Sequence, residues 1–251
     1  MSRRAGAIPL GFITGAILLA ACVDIPTGAD EVLSTQVNPL PSPSVVVGDS
    51  LRDSTGVVSP VTITAFNYNG DAITSPPARF SGLDRGIRVD SLTGVVVGDS
   101  VRSGARILAT LKGLSSTTTI AVTLRPDTVV LSNGRDSLSY SLTDTASNVS
   151  NGIGVKVLHG ATQDSAVASW FVSFRILSPT TTGLAQLVDD NRRASSADTT
   201  DASGIALRRI KIDPTKLTAL VDSVIVLASV KYRGNNLKGS PARLVLKVKP
   251  K

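Results

Sequence analysis

The chain has 251 residues, 42% of them hydrophobic and 4% aromatic, an apolar content that excludes disorder throughout and suffices for one large or two ordinary domains. Its formal charge of +7 falls to +5 without Arg3 and Arg4, and the other basic residues stand singly or in short pairs such as Arg192-Arg193 and Arg208-Arg209. That scatter argues against a nucleic-acid tract, and a single Cys excludes an internal disulfide.

The first 22 residues read as a targeting segment. Arg3 and Arg4 precede an apolar run from Ala5 to Leu19, which ends in Leu19-Ala20-Ala21-Cys22. The run is too short for a membrane-spanning helix and has the length of a signal-peptide core. Leu19-Ala20-Ala21-Cys22 resembles the lipobox of bacterial lipoproteins. That resemblance implies cleavage after Ala21, diacylglycerol on the Cys22 thiol, and a membrane anchor of two or three acyl chains, palmitate among them. Two or three chains hold firmly, because each buried methylene contributes about 0.8 kcal/mol. The competing reading, a buried core thiol, needs an apolar period after Cys22, and the segment from Val23 to Asp30 has none. Val23 in place of the Asp of inner-membrane-retained lipoproteins favours the outer membrane, although Asp24 follows it. Ser2-Arg3-Arg4 touches the twin-arginine pattern, but Ala5-Gly6-Ala7 replaces the apolar residues expected next, so general secretion is predicted.

Residues 22–44 carry Pro, Ser, Thr, Asp and Gly and end in Pro39-Leu40-Pro41-Ser42-Pro43, a composition that predicts an extended tether. From Val45 to Arg125 strand signals recur. Val61, Ile63 and Ala65 alternate with Thr62, Thr64 and Phe66 and run into the turn Asn69-Gly70-Asp71. Ala105, Ile107, Ala109 and Leu111 alternate along a second strand, which Lys112-Gly113 turns into Thr118, Ile120 and Val122 as its antiparallel partner. Val-Val-Val-Gly-Asp-Ser occurs at 45–50 and again at 95–100, and the residues beyond each copy diverge, so the two read as similar strand-and-turn pieces.

Asn69-Gly70 after a Thr/Val-rich strand, Ile87-Arg88-Val89-Asp90 leading into Leu92-Thr93-Gly94-Val95-Val96, and Gly104-Ala105-Arg106-Ile107 before Ala109-Thr110 together resemble bacterial Ig-like domains of the group 2 type. Phe80 stands where such domains often carry a Trp. The resemblance implies a β-sandwich over residues 45–125.

Arg125-Pro126-Asp127 predicts a boundary, because Pro126 interrupts a ladder. Over residues 126–251 seven strands are predicted: Thr128–Leu131, Ser137–Leu142, Gly154–Leu158, Trp170–Leu177, Gly204–Ile212, Ser223–Tyr232 and Ala242–Val248. Along the fourth, Trp170, Val172, Phe174 and Ile176 should face the core, with Ser173 and Arg175 in solvent. This strand and Thr199-Thr200-Asp201-Ala202-Ser203-Gly204-Ile205-Ala206 resemble the group 1 Ig-like domains of invasin- and intimin-type surface proteins. The chain therefore reads as all-β, two tandem immunoglobulin-like sandwiches after a signal peptide and tether. Ser178–Ser203 reads as a long polar loop.

Catalytic chemistry has little to build on. His159 is the only His, Cys22 is assigned to the lipid, and Glu31, the only Glu, lies in the tether. The Asp residues fall in turns, where Asp caps backbone. Asp189, Asp190, Asn191, Asp198 and Asp201 supply oxygen ligands within the long loop, which is therefore the candidate binding loop, but their spacing matches no calcium loop and Arg192 and Arg193 oppose a cation. Neither metal nor cofactor is expected. The expected role is that of a non-enzymatic interaction, adhesion or spacer module, with an envelope polysaccharide or another surface protein as partner. A carbohydrate- or envelope-binding module is the alternative; it would use Tyr68, Tyr140 and Tyr232 if they cluster on an exposed face.

Overall fold

The computed structural model describes residues 28, 31–74, 77–160, 162, 165–216 and 222–251. Cys22 and the lipobox residues Leu19, Ala20 and Ala21 lie outside them. The described chain is all-β, its helical structure confined to two three-residue 3-10 turns at Thr145–Ser147 and Pro214–Lys216. No helix among the described residues is long and apolar enough to cross a membrane.

The first half contains β1 (Ser34–Val37), β2 (Ser44–Val46), β3 (Ile63–Phe66), β4 (Ala72–Ile73), β5 (Arg79–Gly82), β6 (Ile87–Val89), β7 (Val96–Gly98), β8 (Arg102–Leu111) and β9 (Leu114–Thr123). One sheet runs β2-β9-β8-β5, a second β1-β3-β4, and β6 pairs with β7. The period-2 pattern of β8 buries Ala105, Ile107, Ala109 and Leu111 to 1% exposure or less, while Arg106 points outward. Between β8 and β9, Lys112 (φ 49°) and Gly113 (φ 84°) both take the left-handed conformation that a two-residue hairpin with the native twist requires, so Leu111 pairs with Leu114. Val45, Leu51, Val61, Phe80, Ile87 and Ile107 pack into one core, with Phe80 supplying its aromatic volume.

The second half contains β10 (Thr128–Asn133), β11 (Arg135–Tyr140), β12 (Ile153–His159), β13 (Ser165–Ala166), β14 (Phe171–Ser178), β15 (Ala185–Val188), β16 (Ala197–Thr199), β17 (Ile205–Ile212), β18 (Ser223–Ser229), β19 (Lys231–Tyr232), β20 (Asn235–Asn236) and β21 (Ala242–Pro250). Its two main sheets run β10-β12-β17-β15 and β11-β21-β18-β14-β16. The chain pairs antiparallel with β12 up to Asn133 and parallel with β21 from Arg135, so one continuous segment seals both sheets. Val155, Val157 and Ile210 from the first sheet meet Val172, Phe174 and Val226 from the second in a core separate from that of the first half. All seven strands expected here form. On β14, Val172 and Phe174 are buried and Arg175 is exposed, while Ile176 and, just before the strand, Trp170 pack at the core margin.

Two expectations need correction. Part of the segment assigned to the tether is folded: β1 pairs with β3, and Val37 and Leu40 pack on the first core, because the Ser-Thr-Gln-Val alternation offers a half-buried face to an open sheet edge. The predicted loop 178–203 also contains β15, paired with β17, and β16, paired with β14. Each is too short for its periodicity to stand out.

Ile107 is fully buried, whereas Leu92 is 63% exposed. Ile107→Ala is expected to lower unfolding free energy by about 2–5 kcal/mol, and Leu92→Ala to change it by less than about 0.5 kcal/mol, as read from denaturant-induced unfolding of the full chain.

Candidate functional site

The two copies of Val-Val-Val-Gly-Asp-Ser meet in space. The Gly48 N–H donates to the Gly98 carbonyl (2.8 Å), the Gly98 N–H to the Asp49 carbonyl (3.1 Å) and the Leu51 N–H to the Val96 carbonyl (2.8 Å). A Cβ at Gly98 would lie 2.7 Å from the Val46 carbonyl oxygen, so the close approach needs Gly. The two aspartates then take different roles. Asp99 pairs with Arg88 at the surface (2.8 Å), whereas Asp49 is 7% exposed and turned toward the second half.

Asp49 is the most heavily engaged carboxylate of the described chain. Its Oδ1 accepts from the Ser50 N–H (2.8 Å) and from Arg52 Nη2 (2.9 Å). Its Oδ2 accepts from Arg52 Nε (3.1 Å), the Tyr232 hydroxyl (2.8 Å) and Arg233 Nε (2.9 Å). Burial by itself opposes ionisation here, but the hydrogen bonds from Arg52, Arg233, Tyr232 and Ser50 outweigh it and hold the carboxyl well below the ordinary carboxylate range. Burial, then the bond to Asp49, pushes the Tyr232 hydroxyl up, and the bond to Asp49 raises Arg233.

The second half delivers its partners on a hairpin. Tyr232 pairs with Asn235 across Arg233 (φ 50°) and Gly234 (φ 80°). Asn is favoured at the first of these left-handed positions; Arg occupies it because its guanidinium reaches Asp49. A Cβ at Gly234 would collide with the Thr55 carbonyl, and one at Gly56 with the Arg233 and Gly234 backbone, so the two loops touch main chain to main chain. Arg233 lies 5.3 Å from the Tyr232 ring centroid, and Trp170 meets Tyr232 edge-on at 6.1 Å and 64°.

Trp170 is set from the other side by Thr200, which is 3% exposed. The Thr200 hydroxyl accepts from the Trp170 N–H (2.8 Å) and donates to the Val167 carbonyl (2.7 Å), and the Thr200 N–H donates to the Trp170 carbonyl (2.9 Å). Ser169, just before Trp170, takes φ 58°, an unusual conformation for a non-glycine residue. Between Trp170, Phe171, Lys231 and Arg233 on one side and Pro41, Pro43, Asp53 and Thr55 on the other lies a cleft of about 570 Å³.

The residues singled out from sequence go elsewhere. Asp189 Oδ1 accepts from the Arg193 N–H (2.8 Å), and Asp190 pairs with Arg209 (3.0 Å). Asp198 pairs with Arg208 (3.1 Å), Asp201 caps the Ser203 and Ile205 N–H groups, and Asn191 sits exposed in a turn. Each of these carboxylates serves its own turn or ion pair; among the described residues no group of three His, Cys, Asp or Glu converges on a metal position. The expected binding loop is therefore a capped, strand-bearing segment. His159 Nδ1 lies 2.8 Å from the Arg125 carbonyl and 2.9 Å from Asp127 Oδ2, so this nitrogen carries the proton and pins the junction between the halves. Glu31 caps Gly28 (3.0 Å). The tyrosines do not cluster: Tyr68 is 49% exposed, Tyr140 is 6% exposed, and Tyr232 is held at the Asp49 cluster. That removes the tyrosine basis for a carbohydrate surface.

No family model matches the chain, and no curated protein matches it. Among solved structures it is similar to an S-layer protein, rSbsC(31-844), at 10% identity with a TM-score of 0.31, over 86% of this chain and 27% of that one. Domains 4 and 5 of SbsC align at 11% identity with a TM-score of 0.30, over 86% of this chain and 96% of that one. A glycosyl hydrolase family 2 member from Bacteroides cellulosilyticus aligns at 16% identity with a TM-score of 0.32, over 75% of this chain and 23% of that one.

Because its carboxyl is depressed in the folded state, Asp49 contributes stability that is fully present above the unfolded carboxylate pKa of about 3.9 and is lost as pH falls below it. Asp49→Asn is expected to flatten the acid limb of the stability–pH profile in that window. At neutral pH the loss should be on the order of 2 kcal/mol, as typical for hydrogen bonds to a charged group. Small-angle scattering of the variant should show a broader distribution of interdomain distances.

Proposed function

We propose that this chain is a lipid-anchored, non-catalytic protein of the cell envelope, in which two immunoglobulin-like modules form a stiff spacer and interaction unit. The observation that carries the reading is the Asp49 cluster: a carboxylate from the first half bonded to Tyr232 and Arg233 of the second joins two separate cores into one body. A flexible pair of domains would carry no buried charge shared across its junction, since opening would strand that charge.

The strand order of the second half supports an immunoglobulin-like module there. Its first segment is split between the sheets, antiparallel to β12 and then parallel to β21, and its two sheets enclose one core. Two core clusters, with Leu124 at the junction packing on the second, support boundaries near 45–125 and 126–251, with part of 34–44 added to the first module. The anchor rests on Leu19-Ala20-Ala21-Cys22 and the basic, apolar segment before it. Placement in an outer membrane rests on Val23.

Intact mass of the membrane-extracted protein beside Cys22→Ser tests the anchor. Loss of residues 1–21 with added lipid mass, absent from the variant, is expected; an unmodified N-terminus would remove the anchor from the reading.

A further inference from the structure

The cleft beside the Asp49 cluster has features that the spacer role does not use. Its volume of about 570 Å³ lies in the range of small-molecule sites. Phe171, 44% exposed on the outward face of β14, contributes apolar area together with Pro41 and Pro43. The Trp170 indole N–H is buried and has no hydrogen-bond partner. Trp170 also walls an adjoining cavity of about 40 Å³ that contains Ser44, whose hydroxyl is likewise buried and unpartnered. Trp170 thus brings one orphaned donor to the lining of the cleft, with the second orphaned atom in the adjoining cavity, and such a buried group is costly unless a polar partner reaches it.

The charge and backbone of the lining narrow the class of ligand. Among the described residues Lys231 has no ion-pair partner, whereas Arg233 is bonded to Asp49 through Nε and lies over the Tyr232 ring. Asp53, the carboxylate in the lining, is engaged at Oδ1 by the Thr55 N–H and hydroxyl and by the Val57 N–H. Lys231 is therefore the cation of the lining that has no carboxylate partner, and it faces the cleft from the side opposite Asp53. On the β14 wall Ser173 is paired on both sides, with Ala197 and Ser229, and Phe171 on one, with Thr199, so β14 itself leaves an extended peptide little ladder to join. A purely apolar ligand would leave Lys231 and the Trp170 indole N–H desolvated without partners. A sugar ring satisfies both demands: its C–H face packs on Phe171 and the prolines, its hydroxyls meet Ser54 and Thr55, and a carboxylate meets Lys231.

We propose that the cleft between the two halves is a saccharide-binding site selective for sugars that carry a carboxylate. The proposal rests on the reading of the chain as an interaction module, and not on its anchor. The full chain in detergent micelles is titrated with trimers of galacturonate, glucuronate and mannuronate, with neutral galactose and glucose trimers, and with an acidic tripeptide. Heat and the fluorescence of Trp170, the only Trp in the chain, report binding. Saturable binding of at least one acidic trimer is expected, about tenfold tighter than its neutral counterpart, as one charge-assisted hydrogen bond provides. Phe171→Ala should weaken acidic and neutral sugars alike. Lys231→Ala should remove the preference between them; both side chains are exposed, and unchanged circular dichroism verifies the fold. No saturation by any trimer up to ~10 mM, equal affinity for acidic and neutral trimers, tighter binding of the tripeptide, or binding indifferent to both substitutions would each overturn the proposal. Release of new reducing ends would instead overturn the non-catalytic reading and leave the site standing, and absence of binding beside a lipidated Cys22 would leave the anchor and remove only the site.

Discussion

A carboxylate at 7% exposure is tolerated only if its lone pairs are filled by donors, and Asp49 fills them from two places far apart in the chain. Arg52 and the Ser50 N–H are local, supplied by the same turn. Tyr232 and Arg233 lie 183 and 184 residues further on. The first half alone therefore satisfies Asp49 incompletely, and docking of the second half supplies the remaining donors. The contact also imposes conditions on its surroundings. Gly98 must lack a Cβ for the Asp49 turn to close, Gly56 and Gly234 must lack one for the loops to touch, and Arg233 must hold a backbone conformation that side chains disfavour.

The cleft is a by-product of that docking. Its floor and one wall come from the start of β14, where Thr200 bonds both the N–H and the carbonyl of Trp170, and its other wall from Pro41 to Thr55 of the first half. Trp170 stands between the two halves, edge-on to Tyr232 and therefore only one contact from Asp49. In the proposed reading a stiff junction and an open cleft are compatible, because the buried carboxylate joins the halves while the side chains that line the cleft lie at its margin. Preorganisation of this kind lowers the ordering cost of binding.

Regular strands were legible along the chain because burial on one face leaves a period of two: Ala105 to Leu111 and Trp170 to Ile176 follow it. Turn chemistry was legible at Lys112-Gly113 for the same local reason. The alternation fails as a guide in β15 and β16, whose four and three residues show too few repeats. Composition misled over Ser34–Val37, since polar residues at a sheet edge resemble those of a tether. The acidic residues around Asp189 looked like ligands because sequence displays carboxylates without their partners; Arg193, Arg208 and Arg209 neutralise or cap them in the fold.

By itself the sequence determined the all-β class, the hairpins and the aromatic core strand, and its first 22 residues carry the lipobox signal, because each of these depends on neighbours within a few residues. Only the tertiary structure decided that the two Val-Val-Val-Gly-Asp-Ser copies pair with one another, that Asp49 rather than the Asp189–Asp201 segment is the charged centre, and that Trp170 borders a cleft. The physical reason is range. A buried ion is defined by the donors that reach it, and those of Asp49 are brought close only after two cores have formed and docked.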